Sequence, residues 1–359
     1  MLRNLLLALF ATLIFTANNF AQTKPAADSL IVEGIRLHDA GQYQQALKKF
    51  DQALDIDKNN GYALFEKANT YYTLKDTKKA LKYLDIIIDK KIQESYSDAC
   101  YLKGNLLDEQ GKSEEAIATY RMGIKNGKPH PMLHFNLGIT LMGQKKYDEA
   151  EKEYIETLKL RPVHASSHYY LGMIEAEKGL KVKAILPLYF FLTIETEGER
   201  TGKAWGIIQR TLKAGYEEKD ARTVNINLDP DALNDDFKSG EMILSLAPVM
   251  FKTLRDQLRD SLNVDIPEPT ATENLVQTNE KLFQMLAEDN ERPTSDNFWW
   301  DFYGAYFIQL HKDGHTAAAS HYIAFSGGEA DAGKWLSEHE TELNAFAKWY
   351  DDYWSRQDE

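Results

Sequence analysis

The sequence is poor in cysteine and in positive charge. Among 359 residues the only cysteine is Cys100, so a disulfide framework within one chain is excluded. The 42 lysines and arginines are outnumbered by 55 aspartates and glutamates, which gives a formal net charge of −13. Because an acidic protein repels phosphate backbones, we do not expect nucleic acid to be a partner.

Motifs of catalysis are also missing from the sequence. It contains no nucleophile elbow, phosphate-binding glycine loop, dinucleotide fingerprint or zinc-protease motif. Two histidine pairs have the spacing of four residues that can bind zinc, but neither has the accompanying glutamate; they are His130 with His134 and His164 with His168. We therefore predict a protein that is not an enzyme and that uses no metal or cofactor.

Long apolar runs are confined to the N-terminus. Arg3 precedes an apolar run from Leu5 to Ala17, which is the pattern of a secretory signal. The run is shorter than the roughly 20 residues that cross a bilayer. We predict a signal peptide over residues 1–21, a secreted or periplasmic location, and no integral membrane segment after cleavage.

A repeat of about 34 residues occupies the first half of the chain. Alanines that precede a large apolar residue by four positions recur at spacings of 34, 36, 34 and 34 residues: Ala46, Ala80, Ala116, Ala150 and Ala184. A small residue lies twelve positions before each of them: Gly34, Ala68, Gly104, Gly138 and Gly172. This spacing predicts pairs of antiparallel helices that cross closely at the small residues. One pair cannot bury its own apolar face, so the pairs must stack.

This pattern closely resembles the tetratricopeptide repeat family. Five units are predicted over residues 27–198: 27–60, 61–94, 97–130, 131–164 and 165–198. The departures are two extra residues before the third unit and Ala68 where glycine is usual. The resemblance implies a right-handed superhelical solenoid, and with the C-terminal helical region described below the predicted fold class is all-α. It also implies a concave groove, lined by the first helix of each unit, that binds peptides or proteins.

The resemblance further implies which side chains face the groove, because four positions of each first helix point into it. They form an aromatic strip with two asparagines midway: Tyr62, Phe65, Asn69, Tyr72, Tyr101, Asn105, Phe135 and Tyr169. Aromatic rings are common anchors at interfaces, and an amide can both donate to and accept from a peptide backbone. We predict that Asn69 and Asn105 hold an extended peptide and that the rings receive its apolar side chains. The alternative is that some rings pack between helices or against the C-terminal part of the same chain.

The C-terminal part loses the repeat. Residues 199–220 are predicted to form a capping helix, and residues 221–296 a helical linker region. Within that region, alternating residues near 223–228 and 264–266 indicate either short strands, which could pair, or extended chain. A helical stripe between them contains Pro248, which predicts a break or a helix start near Ala247; its members are Leu246, Met250, Leu254, Leu258 and Leu262.

Residues 297–359 are predicted to form an aromatic-rich helical region. The stretch 297–330 has features of a degenerate sixth repeat, and a final helix is expected over 331–354. Its aromatic residues are either a ligand pocket or the core of a small helical unit, since aromatic stripes at helical spacing are usually core.

The function predicted from these observations is an exported scaffold or adaptor that binds a peptide or protein segment in its repeat groove. The alternative is a binding protein for a small molecule or glycan through the aromatic C-terminal region. The sequence does not indicate an oligomeric state.

Overall fold

The computed structural model describes residues 25–214, 216–220, 223–226, 235–289 and 297–356. The predicted signal peptide lies outside these residues. The chain divides between Arg161 and Pro162 into two compact units, here called the first and second unit. No helix in the described ranges is both long and apolar enough to span a membrane.

The first unit is a series of antiparallel helix pairs, as the repeat predicts. Within its described residues the helices are α1 (25–39), α2 (Tyr43–Ile56), α3 (Gly61–Thr73), α4 (Thr77–Asp89), α5 (Tyr96–Glu109), α6 (Ser113–Asn126), α7 (Pro131–Gly143) and α8 (Tyr147–Leu160). Consecutive helices pack against each other, and α5 also contacts both α3 and α7. The odd-numbered helices therefore lie side by side.

Glycine at the helix crossing allows the close approach that the sequence predicts. A Cβ atom placed on Gly138 would lie 2.7 Å from the ring of Tyr154, and one on Gly104 would overlap the ring of Tyr120. Both rings are buried. The predicted packing of a small residue on the first helix against a large residue on the second is confirmed.

The turn inside each pair contains one residue in the left-handed region, which ends the first helix. These residues recur with the period of the repeat, at φ values of 74, 60, 74, 61 and 80°: Gly41, Lys75, Gly111, Lys145 and Gly179. Glycine adopts this conformation without strain, whereas the two lysines have a Cβ atom that opposes it.

The second unit contains the fifth helix pair and the C-terminal helices. Its described helices are α9 (Ala165–Glu177), α10 (Lys181–Ile194), α11 (Glu199–Lys213), α12 (Lys238–Leu262), α13 (Ala271–Glu288), α14 (Ala305–Lys312), α15 (Thr316–Ser326), α16 (Ala330–Glu338) and α17 (Glu340–Ser355). A π-helical turn, Trp299–Gly304, leads into α14. Two strands, β1 (Tyr216–Asp220) and β2 (Thr223–Ile226), form an antiparallel hairpin after α11.

Several C-terminal predictions are wrong. The capping helix predicted over 199–220 ends at Lys213, and 216–220 is a strand. The strand alternative near 223–228 is confirmed at Thr223–Ile226, but this strand pairs with 216–220 and not with 264–266, because neighbouring antiparallel strands can be joined by a short turn.

The structure also differs from the predictions made for Pro248, for the final helix over 331–354 and for a sixth repeat. Helix α12 continues through Pro248. The single final helix is instead two helices separated at His339, whose φ of −125° and ψ of 44° are not helical. The predicted sixth repeat is not a repeat pair, because α14 and α15 each pack against α13.

The core of the second unit surrounds α10, in which every residue from Lys181 to Leu192 is buried. The aromatic stretch 299–307 packs onto it: the ring centroid of Phe190 lies 5.1 Å from that of Tyr306. Trp299, Trp300, Tyr303, Tyr306 and Phe307 are all buried. The aromatic stretch is therefore core, and its rings do not form an open ligand pocket.

Candidate functional site

The side-by-side helices α3, α5 and α7 present one common surface, which we call the first-helix face. Hydrogen bonds tie these helices laterally. The Tyr72 hydroxyl donates to Oε1 of Glu109 over 2.6 Å, from α3 to α5. The Asn136 amide donates to Oδ1 of Asn105 over 2.6 Å, from α7 to α5. These bonds fix the spacing of the helices that carry the predicted groove residues.

Five predicted aromatic residues lie on this face. Tyr62 is the most open, with 54 % of its surface exposed, and the others are partly buried: Phe65, Tyr72, Tyr101 and Phe135. Tyr101 stacks on His130 at 5.4 Å between ring centroids, and Phe135 lies 5.9 Å from the ring of Tyr154. The rings are thus held in place by neighbours while keeping part of each surface accessible.

The two predicted asparagines are already engaged within the protein. Oδ1 of Asn105 accepts hydrogen bonds from Asn136 and from the Tyr120 hydroxyl, the latter over 2.8 Å. The Asn69 side chain hydrogen-bonds to the Glu66 carboxylate. Asn105 therefore serves to position α5 against its neighbours, a role that its spacing in the sequence does not reveal.

Carboxylates beside the aromatic rings are the feature that sequence reasoning missed. Burial, with the nearby charges of Asp39 and Asp98, raises the pKa of Glu66, although its hydrogen bond to Asn69 opposes the rise. The Asp98 carboxylate also lies 3.2 Å from the ring of His130. The sequence does place Glu66 directly after the groove position Phe65, but only the structure shows that Asp39 and Asp98, on two other helices, act on its charge.

The Tyr72 hydroxyl also lies beside a carboxylate. Its hydrogen bond to Glu109, followed by burial, raises the pKa of the Tyr72 hydroxyl to about 12. The ammonium of Lys75 lies 5.4 Å from the centroid of the Tyr72 ring, a distance at which a cation is attracted to a ring face. The face therefore combines rings with negative charge, and it already attracts one cation of the protein itself.

Tyr169, the last predicted groove residue, lies in the second unit and is only 6 % exposed. Its ring packs 5.1 Å from that of Phe191, and the guanidinium carbon of Arg200 lies 5.8 Å from its centroid. It borders a shallow cavity of about 480 Å³ with Met173 and Lys203. The prediction of an open aromatic anchor is wrong at this position, because α10 and Arg200 cover the ring.

The histidine pairs have separate structural partners. His134 contacts Glu153 at 2.7 Å, and His164 caps the start of α9 by accepting from the Ser167 amide. His168 is buried, with Nδ1 2.6 Å from the Tyr303 hydroxyl and Nε2 2.8 Å from the Pro162 carbonyl. Burial lowers the pKa of His168 to about 3, so its neutral ring donates to Pro162 and accepts from Tyr303.

The described residues contain neither a group of metal ligands nor an accessible thiol. Among the described residues, no three histidine, cysteine or acidic side chains are placed to hold a metal ion. Cys100 is buried, and burial raises the pKa of its thiol to about 12. A protonated, covered thiol is a poor nucleophile.

A second cavity, of about 380 Å³, lies in the second unit between α11, α12 and α13. Its polar lining includes Lys213, Lys252, Arg255 and Asn274. Arg255 is bound to Glu268 at 2.5 Å. The aromatic residues proposed as a glycan site are not part of this lining.

Comparison with known proteins agrees with the repeat pattern. Models of the tetratricopeptide repeat match residues 37–96, 101–156 and 135–189. A TPR repeat-containing protein of Methanocaldococcus jannaschii is 29% identical over 146 residues, which are 38% of this chain and 25% of that protein. The human N-alpha-acetyltransferase 16, NatA auxiliary subunit, is 35% identical over 98 residues, 27% of this chain and 11% of that protein.

Among solved structures, PilF of Pseudomonas aeruginosa superposes with a TM-score of 0.47 at 20% identity, covering 53% of this chain and 85% of its own. The chain spans about a quarter of the first curated relative and about a tenth of the second. The similarity to both relatives therefore concerns a segment and not the whole proteins. Residues 37–96 and 101–189 of this chain are tetratricopeptide repeats.

Proposed function

We propose that the chain is an exported adaptor whose first-helix face binds an extended, positively charged segment of another protein. The observation that carries this proposal is the placement of carboxylates among partly exposed aromatic rings on adjacent helices. The tetratricopeptide repeats support the coarser statement that the chain is a protein-interaction scaffold. The carboxylates on the first-helix face are the reason for proposing that the bound segment is positively charged.

The aromatic rings supply apolar contact with little loss of side-chain freedom, because neighbouring residues already hold them. Tyr101 rests on His130 and Tyr72 is tied to Glu109. A bound segment therefore meets rings that need little further ordering, which favours affinity. Tyr62, which is largely exposed, offers the widest area for an incoming side chain.

The carboxylates supply the electrostatic preference. Burial opposes ionisation of Glu66, and the negative charges of Asp39 and Asp98 add repulsion to it. A lysine or arginine would relieve this repulsion, form a charge-assisted hydrogen bond and face the adjacent rings. An acidic segment would meet the opposite effect.

The asparagines take a smaller part than their sequence positions predict. Because Oδ1 of Asn105 already accepts two hydrogen bonds, Asn105 orients the face. Asn69 holds the Glu66 carboxylate in place for a ligand cation. The peptide backbone is then bound mainly by shape and by the flanking rings.

Selection of displayed random peptides against the purified protein tests this proposal. We expect enrichment of lysine and arginine next to aromatic or aliphatic residues, and affinity that falls as salt rises. In Glu66→Gln, the selected peptide should bind about tenfold more weakly, a loss of about 1.4 kcal/mol.

The matched control is Glu149→Gln, which removes an exposed carboxylate that pairs with Arg121 on the second helices. Its affinity for the peptide should equal that of the unchanged protein. Enrichment of acidic peptides, or equal weakening by both variants, would contradict a cation-binding face.

Export rests on the N-terminal apolar run alone, and it has its own test. Expression of the full chain in a bacterium with two membranes, followed by osmotic release of the periplasm, should yield a protein that begins after Ala21. A protein recovered from the cytoplasm with Met1 intact would reject export but leave the binding proposal standing.

A further inference from the structure

Helix α12 carries an exposed apolar stripe in its C-terminal half. Met250, Leu254, Leu258 and Leu262 are 49, 56, 42 and 62 % exposed. They recur every four residues, so they lie along one side of the helix over roughly 18 Å. Soluble proteins seldom expose contiguous apolar patches of this kind unless another surface covers them.

A cavity of about 430 Å³ opens beside the stripe, between α12 and the segment that leads into α13. Its lining is apolar on one part and polar on another: Phe251, Leu254, Leu258, Ile266 and Pro267, with Arg255, Glu268, Glu273 and Gln277. The patch therefore has both projecting side chains and a recess. A surface with both features can be complementary to a second copy of itself.

Charge around the stripe also favours a second copy. One flank consists of exposed uncharged residues: Thr253, Gln257 and Ser261. The other flank carries Arg255 and Arg259, and both are paired with Glu268. In a two-fold antiparallel helix pair each flank meets the same flank of the second copy, and here neither flank brings unpaired like charges together. This matters in a chain with a net charge of −13, where most self-contacts would bring acidic residues together.

A lipid surface fits the stripe less well. Helices that lie on membranes carry lysine and arginine on the polar face. Here Arg255 and Arg259 both pair with Glu268, and Arg259 also pairs with Asp256. Asp260 and Asp265 remain exposed and would be repelled by anionic lipid.

From these observations we infer that the chain forms a two-fold dimer in which the α12 stripes pack antiparallel. Met250 then lies opposite Leu262 of the second copy, and Leu254 lies opposite its Leu258. The stripe is short, so the buried area is at the lower end of specific interfaces. We therefore expect a weak dimer that dissociates on dilution.

Sedimentation velocity of the purified protein over a wide concentration range tests the dimer. We expect a monomer that becomes a dimer as concentration rises, and a monomer at every concentration for the double variant Leu254→Glu, Leu258→Glu. The matched control is Val32→Glu, which places the same charge at a residue of α1 that is 68 % exposed; it should still dimerise.

Thiol cross-linking tests the geometry without altering the stripe. Because the one native cysteine is buried, a short bis-maleimide should join copies of Gln257→Cys but not copies of Asp260→Cys, which lies on another side of α12. The cross-linking comparison still tests the dimer if the double variant fails to fold. A wild-type monomer at all concentrations, a dimer that survives both glutamates, or equal cross-linking at 257 and 260 would each overturn the proposal.

Discussion

Glu241 is a buried carboxylate whose protonation should control the stability of the second unit. It lies on α12 and reaches the start of α10, where its Oε1 accepts the Val182 N–H over 2.6 Å. Its Oε2 is buried with no hydrogen-bond partner among the described residues. The ammonium of Lys181 is directed elsewhere, to the Ala214 carbonyl and the Ser245 hydroxyl. Burial, with a smaller effect of Asp235, raises the pKa of Glu241 to about 7.

The direction of the pH effect follows from this rise. Above its ordinary pKa of about 4.5 the carboxyl group loses its proton in the unfolded chain, whereas in the folded protein it keeps the proton up to about pH 7. Folding therefore binds a proton across this window, and the stability that Glu241 contributes falls as pH rises from about 4.5 to about 7. A difference of about 2.5 pKa units corresponds to about 3 kcal/mol.

Glu241→Gln keeps an acceptor for the Val182 amide but cannot ionise. As pH rises from about 5 to about 8, the free energy of unfolding of the variant should increase by about 3 kcal/mol relative to that of the wild type. Urea denaturation followed by tryptophan fluorescence measures this, because all six tryptophans lie between residues 205 and 354, within the second unit. Glu197→Gln, at an exposed residue of the same unit, provides the baseline. Parallel pH profiles for wild type and Glu241→Gln would refute the reasoning.

Two further predictions concern single contacts. Tyr303→Phe removes the hydroxyl that donates to Nδ1 of His168 and leaves a buried acceptor unpaired, so the same urea titration should show a loss of about 1–3 kcal/mol; an unchanged midpoint would argue against that bond. Lys145→Gly relieves a left-handed lysine at φ 61° and should stabilise the first unit by up to about 1 kcal/mol. Circular dichroism during denaturation measures the second effect, and a lower midpoint would mean that Lys145 makes contacts worth more than its strain.

The repeated part of the fold could be predicted because the same pattern of small and large residues recurs in each helix pair. Gly104 and Gly138 recur where a ring must pass close to the backbone, and the contacts with Tyr120 and Tyr154 confirm this. Gly111 and Lys145 likewise mark turns, although nothing in the sequence shows that a lysine would take the left-handed conformation.

The candidate site could be predicted only in outline. The family resemblance places Phe65, Asn69 and Asn105 on one face, but it cannot show that Oδ1 of Asn105 accepts hydrogen bonds from Tyr120 and Asn136. Neither can it show that Asp39 and Asp98 act on the charge of Glu66, since the three residues lie on different helices. The burial of Tyr169 depends on Arg200, which lies on α11, the helix that follows the fifth pair.

The fold of the C-terminal part could be predicted less well for a related reason. Its alternating residues indicate a strand but not the partner strand, and strand 223–226 pairs with the neighbouring strand 216–220. Pro248 removes one backbone hydrogen bond, yet α12 continues because Leu244 and Ala247 before it are buried and their packing outweighs that loss. Aromatic residues in the stretch 299–307 fit a pocket and a core equally well until their neighbours are known.

The bond between His168 and Tyr303 joins residues 135 positions apart, and this distance has a consequence for how the chain is made. In the first unit, contacts such as that of Gly104 with Tyr120 form as soon as each helix pair is synthesised. In the second unit, α10 must wait for the aromatic stretch 299–307, and folding through such distant contacts is slow. A chain that stops between α11 and Trp299 would leave the apolar surface of α10 uncovered. Such truncated products should therefore be captured by chaperones or aggregate, even though their repeats are intact.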